Sequence, residues 1–241
     1  MRATIVLLLV GFLLPSQPAS AQTTASAPTF PAPAAAEAAR PSWQLGRPLA
    51  ILAVGLAATS LTWNEAEPNG MQDGIADAGL DGFGDLGNTW GSSLVIGGAS
   101  AGVLTAGLLG GDRATRDLGV DLCLSFASSA LISGVIKHGV NRQRPDGGDL
   151  SFPSGHTTAA FSVVPVLGHH LGWRWGLAAG VLATGTGLGR MEARRHHLSD
   201  VLLGAAIGLA MGDLVVQRRE HVDWLRGLAV APDQVSYTLR F

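Results

Sequence analysis

Charge is scarce in this chain: 16 Lys and Arg and 18 Asp and Glu among 241 residues leave a net charge of −2 and no long basic run. A nucleic-acid partner or a polybasic membrane tether is therefore not expected. One cysteine, Cys123, excludes an internal disulfide, and its apolar neighbours make it a small buried hydrophobe. No cluster of His, Cys, Asp and Glu has metal-ligand spacing, so neither a metal nor a cofactor is expected. The acidic stretch Asp73, Asp77, Asp81 and Asp85 repeats every four residues, whereas a calcium loop alternates its ligands and would need oxygen donors where Ile75 and Gly79 stand. It reads as a solvated loop or an amphipathic helix with an acidic face.

Apolar residues and glycine fill the rest. With 33 Gly and a positive mean hydropathy, the chain leans toward a helical protein in or on a membrane. Arg2 precedes the apolar run Ile5 to Leu14, and Ala19-Ser20-Ala21 offers small residues where a signal peptidase cuts. Residues 1–21 thus read as a secretory signal, with an uncleaved anchor as the alternative. Residues 22–42, rich in Ala, Pro, Ser and Thr, read as a disordered tether. Leu49 to Trp63 is apolar but shorter than the roughly 20 residues a spanning helix needs. Five apolar helices are predicted at about Ser92–Gly110, Leu118–Lys137, His156–Leu171, Trp175–Leu188 and Asp200–Val216. The expected fold is all-α, a bundle of about five or six apolar helices embedded in a membrane. Its helical domain covers 43–217, and a tail at 218–241 ends in an alternating, strand-like stretch. Gly204, Gly208 and Gly212 give one helix a smooth face for close packing.

Three polar blocks interrupt the apolar pattern. In the first, Lys137-His138-Gly139-Val140-Asn141-Arg142-Gln143-Arg144-Pro145, Lys137 and Arg144 are two helical turns apart and, on one helical face, could hold a phosphate. The second, Phe152-Pro153-Ser154-Gly155-His156-Thr157-Thr158, opens a helix whose free N–H groups, Ser154 hydroxyl and Gly155 backbone suit an anion, while His156 could deliver a proton. The plainer reading is an N-cap with a polar first turn. The third runs from Gly189 to Asp200. His196 and Asp200, four apart, would lie on one helical turn, the carboxylate binding one ring nitrogen and leaving the other as a nucleophile, and Arg190 adds a cation.

Together the blocks resemble the signature motifs of the type 2 phosphatidic acid phosphatase and vanadium haloperoxidase superfamily: Lys-x6-Arg-Pro, Pro-Ser-Gly-His and Ser-Arg-x5-His-x3-Asp. The resemblance covers mainly residues 118–216. One position departs: Gly189 stands where the family usually has Ser, a loss that should weaken phosphate binding or orientation more than abolish chemistry. The resemblance implies a metal-independent phosphatase in which Lys137, Arg144 and Arg190 clamp the phosphoryl oxygens and Ser154 with the Gly155 backbone completes the cradle. It further implies that His196 attacks phosphorus, oriented by Asp200, and that His156 protonates the leaving group and then activates water. His138, His197, Arg142, Arg194 and Arg195 fall out of register and read as rim residues touching substrate or lipid head groups, or as solvated boundary residues.

A lipid phosphate such as phosphatidate or an isoprenyl diphosphate is the expected substrate, because apolar helices would hold the cradle near a membrane surface. A soluble periplasmic acid phosphatase and a vanadium-dependent haloperoxidase are the alternatives, and a non-enzymatic membrane scaffold has no use for this register of cations and histidines. Arg113, Arg116, Arg174, Arg218 and Arg219, placed on the cytoplasmic side, leave the motif loops facing the periplasm of a bacterial envelope. With a cleaved signal this requires that Leu49 to Trp63 not span; with a retained anchor that segment could complete six spans.

Overall fold

The computed structural model describes residues 45–63, 81–219, 228–231 and 234–237. They belong to a unit that begins at Trp43; the signal and tether assignments, and Asp73 and Asp77 of the acidic repeat, fall outside the described residues. Among the described residues the helices are α1 (Gly46–Thr62), α2 (Asp81–Trp90), α3 (Ser93–Gly110), α4 (Arg113–Val140), α5 (Gly155–Leu171), α6 (Trp173–Glu192) and α7 (Leu198–Arg219). A short antiparallel hairpin follows, β1 (Leu228–Ala231) with β2 (Gln234–Tyr237), pairing Leu228 with Tyr237 and Ala231 with Gln234. The all-helical expectation holds, and the described residues of the tail form this ribbon.

Local chemistry sets the helix ends. The Ser92 hydroxyl accepts from the Val95 N–H at 3.3 Å, and the Asp112 carboxylate accepts from Ala114 and Thr115 at 3.3 and 3.1 Å, so α3 and α4 begin on side-chain caps. Gly111, at φ +65, makes the left-handed turn between them. The acidic stretch after residue 80 forms α2, where Asp85 is exposed.

Helix α5 sits centrally, packed against α4, α6 and α7; α1 lies along α7, and α2 along α6. The glycine face works as expected. A methyl group at Gly204, Gly208 or Gly212 would lie 2.7, 2.5 or 2.5 Å from the carbonyl oxygens of Ser154, Thr158 and Ser162, so only glycine lets the α5 backbone approach this closely. The buried interior is correspondingly small: Ala160, Ala183 and Ala210 are fully enclosed beside Val166, and the Ser125 hydroxyl bonds the Ser162 carbonyl at 2.6 Å.

Large apolar side chains face outward instead. Leu94 is 88% exposed, Leu61 78% and Leu131 69%. By length and composition, Ser93–Gly110, Arg113–Val140 and Leu198–Arg218 could cross a membrane; α1 is a shorter apolar helix, and α5, at 17 residues, falls below that length. Outward-facing leucines on span-length helices indicate membrane association.

Candidate active site

The C-terminal ends of α4 and α6 and the N-terminal ends of α5 and α7 meet at one end of the bundle; α4 brings the first motif, α5 the second, and the end of α6 with the start of α7 the third. In the first block the helical-face expectation is corrected. Asn141 adopts a left-handed conformation (φ 47) and its N–H bonds the Lys137 carbonyl at 3.0 Å, ending α4 before Arg144. Arg144 therefore reaches the site from a loop, closed by its N–H on the Gly148 carbonyl at 2.6 Å. Lys137 remains on the last turn of α4. Its ammonium donates to the Leu150 and Pro153 carbonyls at 2.7 and 2.8 Å, tying the first block to the second and leaving one of three protons free.

In the second block Ser154 is the N-cap residue of α5, yet its side chain makes no capping bond, so the first N–H groups of the helix are not taken up by it. The fully buried Ser154 hydroxyl accepts from Thr157 at 2.9 Å, which leaves its own proton to donate. Its backbone N–H bonds the Asp200 carbonyl at 2.9 Å, joining the second block to the third. His156 lies on the first turn of α5, outside the span-length helices. Its pKa is pushed down to about 4, by burial first and then by Arg190, His196, Arg144 and Lys137, which places all four within electrostatic reach of its ring.

The third block folds back on α6. The N–H groups of Arg195 and His196 both reach the Arg190 carbonyl, at 3.0 and 3.2 Å, with Arg194 at φ 52 making the turn. His196 thus precedes α7, and Asp200 lies in that helix's first turn. The Asp200 carboxylate accepts the His197 N–H at 2.9 Å while its own N–H bonds the His197 carbonyl, a reciprocal arrangement that begins α7 with an acid at its positive end. His196 Nδ1 faces Asp200 Oδ2 at 3.5 Å, an ion-pair separation without a hydrogen bond. Burial lowers the His196 pKa and outweighs the opposing carboxylate.

Two buried donors at this end of the bundle, Arg144 Nε and Arg190 Nε, have no hydrogen-bond partner within the protein. Two guanidinium N–H donors, free first-turn N–H groups and a donating hydroxyl match a tetrahedral anion.

Of the residues read as a rim, Arg195 pairs with Asp146 at 2.7 Å, holding that carboxyl below its ordinary range, and His138 is exposed. Arg142 is a correction. Its Nη1 donates to Asp200 Oδ1 at 2.7 Å and to Ser199 Oγ at 2.6 Å, and its guanidinium lies 4.3 Å from the centroid of the Trp63 ring. Ser151, also unforeseen, donates a short hydrogen bond to Asp200 Oδ2. Asp200 is fully buried, so its charge needs these donors. The sequence signal for Arg142 was a third cation in the first block of a charge-poor chain; nothing there pointed to Ser151 or Trp63.

Gly189 has a steric cause. A methyl group there would sit 2.5 Å from the Gly84 carbonyl oxygen and 2.9 Å from Asn88 Nδ2, because α2 lies directly against α6. The Asn88 amide donates to the Gly189 carbonyl at 3.4 Å, so α2 fills the space a side chain at 189 would use.

An all-helical scaffold with a cationic anion cradle at one end defines the class, and the comparisons give the family. Residues 118–222, the segment that carries the three motifs, match the PAP2 superfamily. The chain is 41% identical over 92 residues to a lipid A 1-phosphatase of Porphyromonas gingivalis, covering 35% of this chain and 21% of that protein. It is 34% identical over 119 residues to a phosphatidylglycerophosphatase B of Bacillus subtilis, covering 43% of this chain and 58% of that one. The chain therefore spans less than two thirds of either relative. A transmembrane PAP2-type phosphatidylglycerolphosphate phosphatase from Bacillus subtilis shares the fold at 24% identity and a TM-score of 0.55, covering 73% of this chain and 97% of that one. Aquifex aeolicus LpxE does so at 23% identity and 0.50, covering 68% and 95%.

Proposed function

We propose that this protein is a membrane-associated phosphatase acting on a lipid phosphate through a phosphohistidine on His196. The observation that carries the reading is the convergence of three separate motifs on one buried residue, Asp200, through its carboxylate and its backbone carbonyl, beside a histidine and partner-free guanidinium groups. Arg144 and Arg190 hold the phosphoryl oxygens with the Ser154 hydroxyl, the remaining Lys137 proton and the α5 N-terminus at Gly155. His196 Nε2 attacks phosphorus as the ester P–O bond breaks, with Asp200 holding Nδ1–H. His156 gives its proton to the departing alkoxide. It then takes one from water as that water attacks phosphorus and the P–N bond breaks, returning His196 neutral and releasing phosphate.

A histidine held near pKa 4 in the free site is a poor acid carrier until its surroundings change, and the dianionic substrate supplies that change. Its negative charge offsets the three cations Arg190, Arg144 and Lys137, so substrate binding favours His156 protonation. Lipid phosphate is preferred over a soluble ester because outward-facing leucines flank the bundle and because two relatives are named for phosphorylated lipids. The arginines at the far end favour an extracytoplasmic site.

The test is phosphate release by purified protein from phosphatidate, phosphatidylglycerophosphate, lipid A, isoprenyl diphosphate and a soluble ester, with His196→Ala alongside. Lipid phosphates should be turned over and the variant should be inactive. Release confined to the soluble ester would overturn the substrate class, and an active His196→Ala would overturn the mechanism.

A further inference from the structure

We propose that Trp63 and Arg142 are a positioning pair for the nucleophile: the Trp63 ring fixes Arg142, Arg142 fixes Asp200, and Asp200 aims His196. The proposal rests on the phosphatase reading and assigns residues outside its cradle.

The Asp200 carboxylate is held on both oxygens. Oδ1 accepts from Arg142 at 2.7 Å; Oδ2 accepts from Ser151 and from the His197 N–H at 2.9 Å, and faces His196 Nδ1 at 3.5 Å. Rotation of the carboxylate would break bonds on both sides, so the His196 ring meets an acceptor whose direction is fixed. Arg142 Nη1 is itself shared with Ser199 Oγ at 2.6 Å. Its side chain is 16% exposed against a fully buried carboxylate, so the pair is a screened-off charge contact and not a surface one.

Trp63, just past the end of α1, reaches both halves of this shell. Its face lies 4.3 Å from the Arg142 guanidinium, and it meets Phe152 edge-on with centroids 4.9 Å apart. Phe152 follows Ser151, the donor to the other carboxylate oxygen, so one ring buttresses both sides of Asp200. Thr59, a turn earlier on α1, bonds the Ser199 carbonyl at 3.4 Å, placing the end of α1 beside the start of α7. Helix α1 lies outside residues 118–222, so this support is supplied from beyond the PAP2 segment.

The test uses the full chain in detergent, with kcat and KM on the best lipid phosphate and the rate of phosphoenzyme formation in a single turnover. Arg142→Gln should lower kcat and phosphoenzyme formation by about 100-fold, as for a small misplacement of reacting groups, with KM changed less than about threefold. Arg142→Lys should recover about tenfold of that loss, since charge returns without the planar fork. Trp63→Ala should lower kcat about three- to fivefold, again without a KM change. If Arg142 acts through Asp200, the double variant Arg142→Gln, Asp200→Asn should be no slower than Asp200→Asn alone. That comparison also serves if Arg142→Gln alone fails to fold, because the double variant leaves no buried unpaired charge. A normal kcat in Arg142→Gln, a loss carried mainly by KM, or additive effects in the double variant would overturn the proposal. Absence of phosphate release from wild-type protein on every substrate would instead defeat the phosphatase reading.

Discussion

At the scale of single residues, the site turns on which groups are charged before substrate arrives. Burial holds His196 below the ordinary histidine pKa of 6.5, so its neutral, nucleophilic form persists to lower pH. The prediction is cleanest where no leaving-group proton is needed. With His156→Ala and an activated ester, phosphoenzyme should still form, its acid limb should lie below pH 6.5, and the phosphoryl group should map to His196. An acid limb at or above that value would mean that burial does not govern the nucleophile, and phosphate mapped to His138 or His197 would reassign it. Asp200→Asn should leave substrate binding nearly intact and slow the chemical step, because the carboxylate contacts His196 and its supporting donors and no free cradle group. A tenfold rise in KM with unchanged kcat would contradict that division.

At the scale of helices, α2 decides what position 189 can hold. Gly189→Ser restores the family residue, but its Cβ would fall 2.5 Å from the Gly84 carbonyl oxygen, so α2 must shift or detach. The variant should lose about 1–3 kcal/mol of stability and some activity, read by thermal unfolding and phosphate release. A gain in activity without destabilisation would show that α2 does not occupy this place.

The same helix shows what could be read from the sequence. Segments from Ser92 onward stand out as long apolar runs between polar breaks, and their observed ends differ from the expected ones by a few residues. The motif residues were legible because side-chain types at fixed spacing carry their chemistry with them. Helix α2 is short and glycine-rich, stabilised by close backbone packing on α6 that no periodicity announces. Arg142 was misplaced for a related reason: spacing along a helix predicts neighbours only while the helix lasts, and Asn141 ends it. Trp63 reaches the site across 79 positions of sequence, a contact that only the packing of α1 on α7 creates.

At the scale of the whole molecule, the ends of the bundle differ in charge chemistry. Asp112, Arg113 and Arg116 begin α4, Arg174 begins α6, Arg218 lies near the end of α7, and Arg47 at the start of α1 bonds Asp213 of α7 at 2.9 Å. These lie at the end opposite the motif loops, because α4 and α6 run toward the site while α7 runs away from it, with α1 antiparallel to α7. Helix α4, 28 residues long, spans roughly 40 Å and so is long enough to carry its two ends to different sides of a bilayer core of about 30 Å. If the arginines are retained on the cytoplasmic side, as the positive-inside tendency favours, the motif loops would face outward. Replacing Cys123, the chain's one cysteine, with Ser provides a background for single-site labelling. In intact cells an impermeant thiol reagent should then modify Asp149→Cys, on the exposed motif loop, and should reach Ala114→Cys, at the exposed start of α4, only after permeabilisation. The reverse pattern would place the cradle on the cytoplasmic side, and labelling of both sites in intact cells would mean that α4 does not cross the membrane at all.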